Sequence, residues 1–470
     1  MKKVLKVLSV LVLFILIIKG CTIEREPFNP IKYSWLDGNN PLVMETNKWE
    51  QWSKEWEKIN DEPTEIVLTP GENETEINFA WYSKKGEKKP EFKVSESEDM
   101  ANSKKVKVKS EKATKGYMSN KVTVKKLDSK KKYYYSYTID GEWNDSHSIG
   151  MADIAEGFSF LFAGDPQIGA SKSSLNIEGE TTKESKSDVV KRDSYNWNRS
   201  LNLAFRASAI PLPNFILTSG DQIQSRNKNN PSKYYNKNEV EYAGFLSSNI
   251  LRWTPIATAI GNHDASSGNY SFHFNNPNES SLGKTEAGGN YYFTYKNALF
   301  IVLNSNNDNI GEHKEFIDKV VEKNKDLKWR IVTFHHDIYG SGPHSEEEDV
   351  IKFRNNIVPV LEDSSIDLVL NGHDHTYCRS YILKGGEKDI RYGKEDKEVY
   401  NPNGIVYITA ASSTGSKYYE LSEEIPSYLA FRAEVQETMI TNVEVKNDTI
   451  EIKTINDNCE IIDNFKIIKQ

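Results

Sequence analysis

One pattern, repeated five times, restricts the fold more than anything else in the chain: an apolar run of strand length that breaks into residues able to bind a metal or a phosphate. Phe158-Ser159-Phe160-Leu161-Phe162-Ala163 runs into Gly164-Asp165-Pro166-Gln167, residues 214–219 into Gly220-Asp221-Gln222, and residues 255–260 into Gly261-Asn262-His263-Asp264. Residues 330–334 end at His335-His336-Asp337, and residues 366–370 at Asn371-Gly372-His373-Asp374-His375. Unbroken apolar runs suit strands covered on both faces by helices, and helical patterns at 188–208, 239–251, 312–324 and 346–361 lie between them. The alternation predicts an α/β layer fold, in which ligands bind outside the carboxyl ends of the strands. Asp and Gly are ordinary turn residues, and Asn262 could cap a helix. Five strands ending in donors nevertheless point to one shared site.

The donor types narrow the chemistry. Carboxylate, carboxamide and imidazole without a thiolate cluster suit borderline divalent ions such as Mn, Fe or Zn. Two such ions about 3.5 to 4 Å apart polarise phosphoryl oxygens and lower the pKa of a bound water to about 7, which makes hydroxide attack on a phosphate ester the natural reaction. The spacing of His373 and His375 predicts that both imidazoles face one site from an extended segment, with Asp374 directed elsewhere.

The chain's 470 residues exceed one small core and predict a large domain plus an accessory one. A net charge of -8 leaves no electrostatic footprint for nucleic acid, so an anionic substrate needs locally placed cations. Met1-Lys2-Lys3, an apolar run broken only by Lys6 and Ser9, and Lys19-Gly20-Cys21 read as an export signal at 1–21. The ending resembles a bacterial lipobox with Cys21 as the lipidated residue, although Lys19 departs from the usual small or apolar residue there. The expectation is a cell-surface protein held at the membrane by a lipid or by an uncleaved signal anchor. Only three cysteines occur, so no disulfide framework is present; Cys378 and Cys459 could pair if the last strands return beside the histidine loop.

Residues 22–62 read as a connecting segment with one short helix whose tryptophans, Trp49, Trp52 and Trp56, pack on a neighbouring domain. Short strand signals at 65–68, 77–82, 92–94, 122–124 and 133–138 predict a small all-β sandwich over 63–152. The Lys-rich stretch 104–132 reads as a solvated edge and hairpin face. The remainder, 157–470, is the expected catalytic domain.

The motif series resembles the calcineurin-like metallophosphoesterases, and the order of domains resembles their purple acid phosphatase branch, in which a fibronectin type III-like domain comes first. The resemblance extends to Trp329, Tyr339, Tyr377 and Ser380 around the fourth and fifth motifs. It implies a four-layer α/β/β/α sandwich, completed by strands at 404–410, 441–445, 449–455 and 460–468, and a pair of divalent ions. Carried over by position, Asp165 and His375 hold one ion, Asp221 bridges, and Asn262, His335 and His373 hold the other. His263 contacts the phosphate and assists attack, His344 is the candidate for protonating the leaving group, and Arg379 either contacts phosphate or orients the histidine loop. Two residues depart from the pattern. Gln224 stands where purple enzymes place the tyrosine that colours ferric iron, so divalent ions are expected; Gln167 stands where a histidine ligand is common, and its amide oxygen is placed to coordinate or to hydrogen-bond a bound water.

Insertions at 170–187 and 265–290, the second with Tyr270, Phe272 and His273, are candidate walls of the site, and the small-residue loop 411–416 is a candidate border. His147, His273 and His313 match no family position and read as surface or packing residues. The leading expectation is an exported phosphatase acting on small-molecule phosphate monoesters. The alternatives are a phosphodiesterase acting on nucleotides or lipid headgroups, and a surface binding protein with a vestigial metal site.

Overall fold

The computed structural model describes residues 49–60, 65–114, 116–150, 157–171, 185–208, 212–226, 235–266 and 268–470. The expected leader with Cys21, most of the connecting segment and most of the 170–187 insertion lie outside these. Among the described residues, no helix is long and apolar enough to cross a membrane.

Two seven-stranded sheets form the larger domain. In the first, Ile256–Thr258, Phe215–Thr218 and Phe158–Ala163 run parallel, and Met439–Val445, Thr449–Asn456 and Ile461–Ile468 continue it antiparallel. In the second, Ala298–Val302, Trp329–Thr333, Leu368–Asn371 and Val406–Thr409 are parallel neighbours. The apolar runs are covered on both faces, by helices on one side only, as the expected four-layer sandwich requires. Phe158, Phe160 and Phe162 point into a core shared with Phe293, Phe300, Ile331 and Leu370 of the other sheet. Leu161 and Ala163, between them, meet Trp197, Leu201 and Phe205 of the helix Lys186–Ala207. On the second sheet, Ile301, Val332 and Val369 pack on Phe316 and Ile357 of the helices Ile310–Lys323 and Glu348–Asp363. Each motif strand therefore has one face on the opposing sheet and one on helices, which is the α/β/β/α arrangement.

Sequence reasoning missed the hairpin Tyr291–Tyr295 with Ala298–Val302 that forms one edge of the second sheet. Its signal was present in two aromatic and aliphatic runs around Lys296-Asn297, with Lys296 at φ 49° making the turn. The pairing that the sequence left open does not form: Cys378 and Cys459 are free, and the buried Cys378 thiol faces the Tyr339 carbonyl at 3.6 Å.

The smaller domain is the expected β-sandwich, with Phe79, Trp81, Phe92, Val122, Tyr135 and Tyr137 between its sheets. The Lys-rich strands Lys104–Val106 and Lys109–Lys112 are edge strands, where charge discourages pairing with other chains. Trp52 and Trp56, on the helix Trp49–Ile59, are buried against Lys186–Ala207; their indoles donate to Lys191 O at 2.8 Å and Ser187 Oγ at 3.0 Å.

The 265–290 segment does not act as the predicted wall through its aromatic residues. His273 stacks on Tyr82 of the β-sandwich at 4.3 Å and its Nε2 meets Glu239 at 2.7 Å, while Tyr270 is buried beside Thr258. The Phe272 and Asn275 carbonyls accept from Ser119 and Thr69 of the sandwich, each at 2.7 Å. This segment is the dock between the two domains.

Candidate metal centre

All five motif loops leave the carboxyl ends of parallel strands and meet at one rim. Asp165, Asp221 and His335 each bring a donor atom within 4.8 Å of the other two. Around them, His375 Nε2 lies 3.1 Å from Asp165 Oδ2, His335 Nε2 lies 3.5 Å from Asp221 Oδ2, and His373 Nδ1 lies 3.0 Å from His335 Nε2. The loops reach this geometry through backbone that L-residues rarely adopt. Asp165, Gln167, Asp221, His373 and His375 have φ of 30°, 37°, 51°, 74° and 53°, a left-handed strain that concentrates where function over-determines the chain. The two histidines of the fifth motif thus converge by successive tight turns, and not through the alternation of an extended segment.

Hydrogen bonds to the far ring nitrogens fix which atom faces the cluster. The Ser219 carbonyl accepts from His335 Nδ1 at 3.2 Å and the Lys417 carbonyl from His375 Nδ1 at 2.7 Å, leaving both Nε2 lone pairs aimed inward. His263 Nδ1 likewise donates to the Gln224 carbonyl. Burial pushes His263 down to about 3 and His335 down to about 4, so both are neutral at pH 7. Burial alone would raise Asp165, but the His335 and His375 rings beside it and the hydrogen bonds from His375 and the His373 amide hold it at about 2. Asp221 goes the other way: burial and the Asp165 charge push its carboxyl well up. With the imidazoles neutral, the two carboxyl groups oppose one another's ionisation, and a cation between them would let both carry charge.

The donor set fits a metal pair on a further ground. Gln167 Oε1 and Asn262 Oδ1 are buried without a hydrogen-bond partner, and both line the same cleft of about 280 Å³ as Asp221, His263, His373 and His375. A buried carbonyl oxygen without a donor is costly, and a divalent ion would satisfy it.

His344 lines the cleft, its ring 4.5 Å from His373 and 4.6 Å from Tyr419. Of the two places expected for Arg379, at the phosphate or beneath the histidine loop, it takes the second. It is 1 % exposed, forks onto Asp463 at 2.7 and 3.2 Å and lies 4.3 Å over the Phe465 ring, so it supports the histidine loop and is not among the cleft-lining residues. Loop 411–416 is also a support: Thr414 Oγ1 donates to the Pro166 carbonyl at 2.8 Å and the Ser413 amide to Gly164 O at 2.8 Å. Sequence reasoning left unassigned Arg226, His336, Glu347, Asp349 and Tyr419, which also line the cleft. His336 was legible as the neighbour of His335; Tyr419 and Arg226 follow loops whose course the sequence does not show.

This fold, with its cluster of donors at the strand ends, is that of the calcineurin-like phosphoesterase domain. The family model of calcineurin-like phosphoesterases matches residues 158–377, and that of the purple acid phosphatase N-terminal domain matches 63–150. The chain therefore carries a calcineurin-like phosphoesterase domain preceded by a purple acid phosphatase N-terminal domain. Among curated proteins it is similar to purple acid phosphatase 7 of Arabidopsis thaliana, 31% identical over 71 residues, which are 15% of this chain and 20% of that protein. It is also similar to purple acid phosphatase 3 of the same plant, 40% identical over 55 residues, 12% of this chain and 14% of that one. These matches span a fifth or less of either relative's length. The fold is shared more widely. The yellow lupin (Lupinus luteus) purple acid phosphatase PPD1 superposes with a TM-score of 0.62 at 14% identity, over 87% of this chain and 75% of that one. The structure of PhoD gives 0.55 at 11% identity, over 83% and 85%.

Proposed function

We propose that the chain is a metal-dependent phosphatase that hydrolyses small phosphate monoesters. The observation that carries this is the meeting of Asp165, Asp221 and His335 within 4.8 Å, at a cleft where Gln167 and Asn262 bring unpartnered buried oxygens. The phosphatase names of the similar proteins support the reading. Asp165 and His375 would hold one divalent ion, Mn, Fe or Zn; Asn262, His335 and His373 the second; Asp221 both; with Gln167 as a further oxygen donor. When bound, such a pair supplies Lewis acidity and a nucleophile derived from water near neutral pH.

The chain's own residues do the rest. His263, its Nδ1 committed to Gln224, keeps the Nε2 lone pair 3.8 Å from Asp221 Oδ2, where it assists attack by taking a proton. His344 Nδ1 is 2.8 Å from Glu347 Oε1; with Nδ1–H held there, the Nε2–H of the protonated ring is the one that gives a proton to the leaving oxygen. Arg226 is the cleft's described cation and attracts the phosphate.

Purified protein is expected to contain two divalent ions per chain and to release phosphate from p-nitrophenyl phosphate faster than it cleaves the bis(p-nitrophenyl) diester. Stripping the ions with a chelator will abolish both reactions, and returning Mn, Fe(II) or Zn will restore them. Full activity with fewer than two ions per chain would contradict the site, and a faster diester reaction would favour the phosphodiesterase alternative.

Export and anchoring through Cys21 belong to the same proposal and rest on the sequence of the leader alone. Cys21→Ser is expected to remove lipid labelling and release the protein from the membrane fraction; unchanged retention and labelling would count against a lipoprotein.

A further inference from the structure

The middle residue of His373-Asp374-His375 has no part in the chemistry above, yet it is wholly buried and receives three backbone hydrogen bonds from one loop. The Gly342 and Ser345 amides donate to Asp374 Oδ2 at 3.0 and 3.2 Å, and the His344 amide to Oδ1 at 2.9 Å. A carboxylate taking several amide bonds is a strong, directional anchor. The loop closes so tightly that a Cβ on Gly342 would fall 2.6 Å from Asp374 Cγ, and one on Gly340 1.7 Å from Asp337 Oδ2. Neither glycine has positive φ, so both positions need glycine for space. The outer side of the loop is tied as well: Tyr428 Oη donates to Gly340 O, and the Ser422 amide to Ser341 O, both at 2.8 Å.

We propose that Asp374 is a positioning residue that clamps the 340–345 loop, so that the two candidate metal ligands beside it and the His344 proton donor form one rigid unit. This rests on the role proposed for His344. In that step a water oxygen bonds to phosphorus and gives its proton to His263, the ester P–O bond breaks with its electron pair on the leaving oxygen, and the Nε2–H of the protonated His344 ring supplies the proton that neutralises it. An alkyl leaving group needs that proton; p-nitrophenolate departs without it. A displacement of about 1 Å in a catalytic group can lower the rate about 10²-fold, so loosening the clamp will tell the two esters apart.

The test uses full-length, metal-loaded protein with β-glycerophosphate and p-nitrophenyl phosphate as probes. In Asp374→Asn, an NH2 group replaces one accepting oxygen and opposes the loop amides. Its kcat/KM on the alkyl ester is expected to fall about 10²-fold, and at least tenfold more than on the aryl ester. His344→Ala will give the same pattern, and adding Asp374→Asn to it will lower alkyl turnover no further, as a shared pathway requires. Amide hydrogen exchange in a peptide spanning 338–346 will quicken while two ions per chain are retained. Equal losses on both esters, full additivity with His344→Ala, or unchanged exchange would overturn the clamp. Should Asp374→Asn fail to fold or to hold its ions, Gly342→Ala loosens the same contact from the loop side and is read in the same way. If metal-loaded wild-type protein cleaves neither ester, the phosphatase reading fails, and the exchange rates of the two variants still decide the clamp.

Discussion

Asp221→Asn is expected to lower kcat/KM for phosphate esters by about 10³-fold or more. Several kcal/mol of transition-state stabilisation come from a metal pair, and each 1.36 kcal/mol is worth a factor of ten. Asp221 touches several members of the cluster, with Oδ2 3.5 Å from His335 Nε2, 3.8 Å from His263 Nε2 and 3.4 Å from Gln167 Nε2. Burial and the neighbouring Asp165 raise its carboxyl, so its charge depends on nearby cations and theirs on it. An asparagine retains an oxygen for the His263 amide, which now reaches Oδ1 at 2.8 Å, so the loop will hold its shape. The measurement pairs steady-state kinetics with metal analysis: activity and ions per chain should fall together while circular dichroism stays as in the wild type. Unimpaired hydrolysis would revive the binding-protein alternative.

Asp463→Ala will act on stability. Arg379 and Asp463 are 1 % and 3 % exposed, and Tyr377 Oη also donates to Asp463 Oδ2 at 3.1 Å. Removing the carboxylate strands a guanidinium in the core, and breaking a buried pair in this way costs about 3–5 kcal/mol. For a domain of this size that corresponds to a drop in Tm on the order of 10 °C. Replacing both partners by apolar residues, Arg379→Met with Asp463→Leu, should recover much of the loss, because the larger part of it is the uncompensated charge. If Arg379 bound phosphate instead, Asp463→Ala would change KM and leave Tm in place.

The candidate site was legible to the extent that its signals were local. Asp165, Asp221, Asn262, His335, His373 and His375 each follow a strand whose apolar run is visible without any partner, and a parallel layered sheet delivers such strand ends to one rim. The histidine pair was rightly expected to converge, but the reason differed: the φ values of His373 and His375 belong to turns that periodicity does not reveal. Arg379 was ambiguous because its partner lies 84 residues away, and no pattern around either residue names the other. Residues 265–290 looked like a wall because they follow a ligand motif; they became a dock because Tyr82 and Ser119 of the other domain offered them partners.

By itself, then, the sequence determined which segments are strands buried on both faces and which donors cap them, since burial periodicity and residue chemistry are properties of consecutive residues. Only the tertiary structure decided what each face met: the second sheet behind Phe160, Asp463 beneath Arg379, the His344 loop on Asp374. Those pairings join residues distant in the chain, and they depend on the order in which strands enter a sheet and on the space left between them, neither of which is written in any one stretch.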